Sequence, residues 1–123
     1  MKTQLEGRTR RFSCSLVGAL REFPDDRVER VVASQLLRAG TAIGAHYREA
    51  NRAESTSDFV HKVALATKEG AETEYWLELC LDAGIGPREQ LLHLSNEVGQ
   101  LVAILVTIGK NARNKAPQTT KRS

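Results

Sequence analysis

The fold is decided by the stretch Ala45-His46-Tyr47-Arg48-Glu49-Ala50-Asn51-Arg52-Ala53-Glu54-Ser55, in which one helical pattern ends and another begins. Before it, apolar residues recur every three or four positions from about Asp26 onward. The same spacing resumes after the polar turn Ser55-Thr56-Ser57-Asp58 and continues to about Ala83. Ser55 or Ser57 can cap the second of these helices. Two long helices joined by a short turn predict an all-α protein.

Two further helical patterns flank this pair, one from about Thr9 to Glu22 and one from Pro87 to about Ala112. Pro24-Asp25-Asp26 separates the first pattern from the second, and Asp26 is a candidate N-cap. Gly84-Ile85-Gly86-Pro87 stops the third helix and starts the fourth. The expected core residues are Phe12, Leu16, Ala19, Leu20, Phe23, Val28, Val32, Leu36, Ala39, Ile43, Phe59, Val63, Ala66, Gly70, Thr73, Leu77, Cys80, Leu91, Leu94, Val98, Leu101, Leu105 and Ile108.

Four helices with short connections predict an antiparallel up-down-up-down four-helix bundle. In this interpretation residues 1–8 are a flexible basic N-terminus, residues 9–112 are the bundle, and residues 113–123 are a disordered basic tail. Cys14 and Cys80 are expected to be buried reduced thiols on apolar helix faces. The sequence contains neither an apolar signal core nor a long uncharged apolar stretch, so we expect a cytoplasmic protein without a membrane partner.

Charge is segregated along the chain although the net charge is only +3. Residues 1–11 carry four basic and one acidic side chain, residues 110–123 carry five basic and no acidic ones, and residues 12–109 carry nine basic and fourteen acidic ones. The predicted topology brings both termini and the turn after the second helix to one end of the bundle. A basic end attracts phosphates, and the alternative is that it serves only solubility. The residues expected to contact nucleic acid there are Arg8, Arg10, Arg11, Arg48, Arg52, Lys110 and Arg113.

The fourth helix is apolar over more than one face, since eight of the eleven residues from Val98 to Ile108 are apolar. That breadth exceeds a single core-facing stripe. Self-association is the simplest source of cover for the second face. The alternative is a monomer with an unusually wide apolar stripe.

The chain resembles the family of four-helix-bundle proteins encoded in intervening sequences of bacterial 23S rRNA genes, over about residues 10–112. That family is similar in fold to the accessory variability proteins of diversity-generating retroelements. The matching residues are Gln35-Leu36, Arg38, Thr41–Ala45, Tyr47–Ser55, Asp58-Phe59, Lys62, Ala64, Ala66, Lys68-Glu69, Glu72 and Glu74–Leu77. Two positions depart from the family pattern: His46 stands where Asn is usual, and Thr41 replaces Ser.

The resemblance implies a four-helix protomer that assembles into a cyclic homopentamer. It also implies partners, because the retroelement relatives are associated with nucleic acid and with a reverse transcriptase. We expect the family residues to have structural roles, in the core, in ion pairs between helices or at subunit contacts. These signature positions are His46, Glu49, Asp58, Phe59, Lys62, Lys68, Glu69, Glu72, Tyr75 and Trp76.

No complete catalytic or metal site is recognisable. His46-x-x-Glu49 and Asp58-x-x-His61 supply only an imperfect half of a di-iron site, and Arg88 and His93 have the spacing of a class of helical ribonucleases without its flanking residues. We therefore predict no cofactor and no metal, and a protein that is not an enzyme. If His46 is buried without an acid partner, its protonation would lower stability between about pH 7 and 5.

Two function classes follow from these observations. The first is an oligomeric scaffold that binds RNA or DNA phosphates through its basic end with little sequence preference. The second is a structural or protein-interaction adaptor that does not bind nucleic acid. Charge segregation and the resemblance favour the first class, and the acidic body favours the second.

Overall fold

The computed structural model describes residues 2–115 of the chain, which form four α-helices and, within that range, no strand. The helices are α1 (Lys2–Leu20), α2 (Arg27–Ala50), α3 (Thr56–Ala83) and α4 (Arg88–Asn114). Each predicted helix is present, and three of the four begin within two residues of the expected position. The predicted tail at 113–123 begins inside α4, and its residues 116–123 lie outside the described range.

The first helix is the exception, because α1 begins at Lys2 and residues 2–8 are helical. This corrects the assignment of residues 1–8 to a flexible segment. Leu5 is only 8% exposed and Thr9 is buried, so the buried stripe that includes Phe12 continues about two turns toward the N-terminus. Burial of Leu5 offsets part of the entropy lost when this segment becomes helical.

The turns between the helices use the chemistry that their sequences predict. The Ser55 hydroxyl accepts a hydrogen bond from the Asp58 backbone N–H at 3.0 Å and caps α3. At the other end of α3, Gly84 is left-handed with φ of 70°, and the Ile85 N–H donates to the Cys80 carbonyl at 2.8 Å. Asp26 occupies the N-cap position of α2, but its side chain makes no capping hydrogen bond.

The four helices pack around a common hydrophobic core that contains most of the predicted residues. Two predictions about burial were wrong. Val28 is 53% exposed because it lies in the first turn of α2, where it extends past the packed part of its neighbours. Cys14 is exposed because it lies between the buried positions Phe12 and Leu16, on the opposite face of α1. Leu20, Phe23, Phe59 and Ile108 are partly buried and pack against the core.

Each helix packs against the next in sequence, and α1 also contacts α4, although more sparsely. Two glycines allow especially close packing. A Cβ at Gly40 would lie 2.2 Å from Leu16 Cδ2, and one at Gly70 would lie 2.6 Å from Val102 Cγ2. A larger residue at either position would therefore force the buried Leu16 side chain or the Val102 side chain to move.

Candidate nucleic-acid interface

Three helix ends meet at one end of the described part of the chain. Asn51 Nδ2, next to the end of α2, donates to Glu6 Oε2 at 2.8 Å near the start of α1. Lys115, next to the end of α4, lines a shallow groove with the turn at 53–56. The start of α1 and the ends of α2 and α4 are thus neighbours, as connectivity predicted.

Three of the predicted arginines, Arg10, Arg48 and Arg52, line one groove between α1 and α2, which we call the arginine groove. Its volume is about 530 Å³. Arg48 and Arg52 are one helical turn apart on α2, so their side chains lie on the same face. Gly44 lies at the floor, where a Cβ would be 3.0 Å from Thr9 Oγ1. The small residue keeps the groove open and lets α1 approach α2.

Two carboxylates, Glu6 and Glu49, share this groove and reduce its positive charge. Arg48 Nε lies 3.5 Å from Glu6 Oε1, and the Arg52 guanidinium donates to the Arg48 carbonyl at 3.3 Å. Arg10, Arg48 and Arg52 are all exposed. With three cations and two anions, the groove keeps an excess of one positive charge that solvent anions can reach.

Arg8, unlike the three arginines of the arginine groove, is held in an ion pair between α1 and α4. Its Nε donates to Glu97 Oε2 at 2.7 Å, and its Nη2 donates to Glu97 Oε1 at 2.9 Å and to Gln100 Oε1 at 2.7 Å. This bidentate arginine–carboxylate contact joins α1 to α4 and holds the pKa of the Glu97 carboxyl below its usual range. The guanidinium is already matched to a carboxylate, so Arg8 is less available to an external anion than the three arginines of the arginine groove.

The remaining predicted cations lie apart from the arginine groove. Arg11 lines a separate groove between α1 and α4. Lys110 and Arg113 are exposed in the last two turns of α4. They extend the basic end without joining the three arginines.

The signature residues of α2 and α3 form a polar seam along the outer edge of that helix pair. Arg38 donates to Glu69 Oε1 at 3.2 Å and also binds Glu72, and Trp76 Nε1 donates to Glu72 Oε2 at 3.1 Å. We call Arg38, Glu69, Glu72 and Trp76 the α2–α3 seam. The Arg38 hydrogen bond lowers the pKa of Glu72. Arg38 thus pairs with two acids of α3, whereas Arg48 pairs with Glu6 of α1.

His46, Glu49 and Lys62 lie next to one another near the end of α2. His46 Nδ1 and Lys62 Nζ each lie 3.5 Å from Glu49 Oε1. His46 Nδ1 is buried and makes no hydrogen bond within the described part of the chain. A carboxylate therefore lies beside the imidazole. Destabilisation at low pH is expected only for a buried His46 without an acid partner, and that condition is not met.

The other signature residues have separate surroundings. Asp58 is in the first turn of α3, Phe59 packs against the core, and Lys68 is exposed. Trp76 packs against the core while Tyr75 is 57% exposed, and their rings meet edge to face with centroids 5.2 Å apart. Of these two adjacent aromatics, Trp76 packs inward and Tyr75 faces solvent.

Within residues 2–115, no group of three or more His, Cys, Asp or Glu side chains is placed to hold a metal ion. The Arg88 guanidinium donates to the Leu81 carbonyl at 3.2 Å, and His93 is exposed on α4. Burial raises the pKa of the Cys80 thiol to about 11, so this cysteine is a poor nucleophile at neutral pH.

Sequence reasoning missed the acids that bind the basic residues at this end. Glu97 is 89 positions from Arg8, and Glu6 on α1 pairs with Arg48 near the end of α2. No local spacing rule connects such pairs, because only residues three or four apart on a helix are neighbours by sequence. One available signal was the register between α1 and α4 once both helices were assigned.

α4 is long and apolar enough to cross a membrane by length and composition alone. Only 28% of its most apolar 18-residue window is buried inside the protein. Leu92 and Val106 are each 48% exposed on this helix. The predicted second apolar face of α4 is therefore present and is uncovered in the single chain.

Residues 2–107 match the family model of the 23S rRNA-intervening sequence protein, and the chain belongs to that family. The structure is also similar to the crystal structure of a protein of unknown function from the S23 ribosomal protein family of Bacteroides thetaiotaomicron. The two share 36% sequence identity with a TM-score of 0.80, over 86% of this chain and 98% of that one. No curated protein matches the chain.

Proposed function

We propose that this member of the 23S rRNA-intervening sequence protein family is a non-enzymatic, oligomeric scaffold that binds RNA or DNA phosphates. The observation that carries the proposal is the grouping of Arg10, Arg48 and Arg52 around one open groove. Guanidinium groups at such spacing suit the phosphates of a nucleic-acid backbone and read no base sequence. Lys110 and Arg113 at the same end add long-range attraction.

The proposed protomer is an antiparallel up-down-up-down bundle. Contacts between helices support it, because they pair residues in reverse order along neighbouring helices. Arg38 of α2 meets Glu69 of α3, whereas Glu49, further along α2, meets Lys62, which is earlier in α3. The same reversal relates Arg8 to Glu97 and Glu22 to Gln90 on α1 and α4.

The proposed assembly is a homopentamer, in line with the family resemblance, in which neighbouring copies cover the exposed face of α4. Leu92 and Val106 support a covered face, because large apolar side chains gain free energy when they leave water. Five copies of a groove with an excess of one positive charge would bind one nucleic-acid chain through avidity. Each single contact could then be weak.

The experiment is a fluorescence-anisotropy titration of structured RNA, duplex DNA and a neutral polymer at about 50 and 200 mM salt. We expect both nucleic acids to bind and the affinity to fall steeply with salt, because bound cations displace counterions. The triple variant Arg10→Gln, Arg48→Gln, Arg52→Gln should bind at least tenfold more weakly and show a shallower salt dependence.

A matched control removes the same charge at the other end of the protein. Arg21→Gln, Arg27→Gln, Arg30→Gln changes three exposed arginines near the end of α1 and the start of α2. This variant should keep most of the affinity. Equal losses in the two triple variants would contradict a specific groove, and binding that persists unchanged at 200 mM salt would contradict a phosphate-based mode.

A second candidate is a protein-interaction adaptor whose basic end serves solubility. Exposed apolar side chains away from the arginine groove favour it, namely Val28, Val31 and Tyr75, each more than half exposed. Light scattering separates the claims about assembly from those about binding. A monodisperse monomer at micromolar concentration would rule out the oligomer, and an oligomer that binds neither nucleic acid at low salt would favour the adaptor.

A further inference from the structure

A second groove lies between α1 and α4, on a different side of α1 from the arginine groove. Its volume is about 810 Å³, within the range of small-molecule sites. Its lining is mainly apolar at the base, where Leu5 and Tyr47 are buried and Ile104 and Ile108 are partly buried. The groove exists because α1 and α4 pack less closely than the other neighbouring helices. We call it the α1–α4 groove.

The rim of the α1–α4 groove is polar, since Gln4, Thr107 and Asn111 line it and are exposed. None of the large apolar side chains that are exposed in residues 2–115 lies in this groove. A recessed apolar base below a polar rim suits a narrow apolar chain that carries a polar end.

The dimensions of the groove agree with a linear ligand. On α4 the lining runs from Ala103 to Asn111, nine residues separated by eight helical rises, or about 12 Å at 1.5 Å per rise. On α1 it runs from Gln4 to Arg11. This length accommodates an alkyl chain of moderate length laid along the helices.

The charge at the edge of the groove indicates which polar group a bound alkyl chain would carry. Arg8 is matched to Glu97, so its positive charge is already neutralised. Arg11 makes no hydrogen bond or close ion pair with an acid inside the described range, although its charge also helps to lower the pKa of Glu97, and its guanidinium lies over Gly7, with Nη1 3.1 Å from where a Cβ would be. The two arginines and Glu97 leave one positive charge, which a single anion balances.

We propose that the α1–α4 groove binds a single-chain amphiphile with one carboxylate. The alkyl chain would lie on Leu5, Ile104 and Ile108, and the carboxylate would meet Arg11 at the rim. This site is separate from the arginine groove, and neither proposal depends on the other.

The test is calorimetric titration of the full-length protein with dodecanoate below its micelle concentration, and with dodecyltrimethylammonium as a cation of equal chain length. We expect saturable binding of dodecanoate, one per chain, and binding of the cation at least tenfold weaker. Arg11→Gln should weaken dodecanoate binding about tenfold. Arg10→Gln, one residue away but in the arginine groove, is the matched control and should leave it unchanged.

A variant that fills the groove tests the position of the alkyl chain. Thr107→Trp places a large ring over the apolar base and should abolish dodecanoate binding, and Ala103→Leu serves the same purpose if the first variant does not fold by circular dichroism. Two results would overturn the proposal: equal affinity for the two amphiphiles, or full dodecanoate binding in a folded groove-filling variant.

Discussion

The contacts of α2 with α3 differ from those of α1 with α4. Along α2 and α3 a packed core is edged by ion pairs, in which Arg38 meets Glu69 and Glu72, and Glu49 meets Lys62. Between α1 and α4 the packing is sparse, and the ion pair of Arg8 with Glu97 crosses above an open groove. A bundle with a shared core can therefore hold its helices unequally, and α1 is the helix that we expect to separate first.

The largest expected effect comes from the core of the closely packed pair. Leu77 on α3 is fully buried, and Leu77→Ala should lower the free energy of unfolding by about 2–5 kcal/mol, from lost burial plus the cavity left behind. Leu5→Ala near the start of α1 should cost less, because that end can relax into the open groove. Urea denaturation measures both, and equal losses would show that α1 is held as firmly as α3.

Next in size is the loss of the contact that joins α1 to α4. Arg8→Gln should destabilise the protein by about 1 kcal/mol, because Glu97, about one third exposed, loses a charge-assisted partner. Hydrogen exchange should become faster in α1 and stay unchanged in α3. The matched change Arg38→Gln removes a more exposed ion pair and should have a smaller effect that disappears at high salt.

The pH dependence should differ between Glu97 on α4 and Glu74 on α3. The Arg8 contact lowers the pKa of Glu97 in the folded state, so its stabilisation is present above about pH 5 and is lost as the pH falls through 4. Between pH 5 and pH 3, the melting temperature of the Arg8→Gln variant should therefore fall less than that of the wild type. Parallel melting curves for the two proteins over this range would contradict the assignment.

Glu74 on α3 should behave in the opposite way. Burial, with a smaller contribution from the charge of Glu78, raises its pKa, so the charged form opposes folding at neutral pH. Glu74→Gln should raise the melting temperature slightly at pH 7, and this gain should vanish below about pH 4. A loss of stability at pH 7 would mean that the carboxylate has a favourable partner.

The prediction that disturbs the protein least concerns the reaction rates of its two thiols with a labelling reagent. Cys14 on α1 is exposed and should react with a thiol reagent in the native protein, whereas Cys80 on α3 is buried and its pKa is raised. Cys80 should react only on the timescale of unfolding. If it reacts as quickly as Cys14, α3 opens more readily than its packing suggests. Cys14→Ser identifies which thiol is modified.

Much of this fold was predictable because apolar periodicity records burial directly. The stripes of α3 and α4 were assigned almost residue by residue, since both helices are long and their apolar faces are continuous. The start of α1 was missed because Leu5 and Thr9 are separated by charged and polar residues that resemble a tail. Val28 shows the opposite error, since a residue in phase with the core can still lie beyond the packed region.

The candidate site was harder to predict, because it depends on which charges meet across helices. Connectivity correctly placed the basic residues at one end, but it could not distinguish Arg8, which binds Glu97, from Arg10, which lines the arginine groove. Those two arginines are two positions apart on α1, so Arg8 faces α4 and Arg10 faces α2. Side-chain pairing of this kind requires the rotation of each helix, which sequence patterns give only approximately.

The single tryptophan of the chain lies in the α2–α3 seam, where its indole N–H binds Glu72. Its emission therefore reports optically on one side of the bundle and is insensitive to the other. If α1 detaches first, far-ultraviolet circular dichroism will record the loss of helix while the wavelength of maximum tryptophan emission stays constant. If the denaturation midpoints from circular dichroism and from fluorescence differ, the four helices do not unfold as one unit.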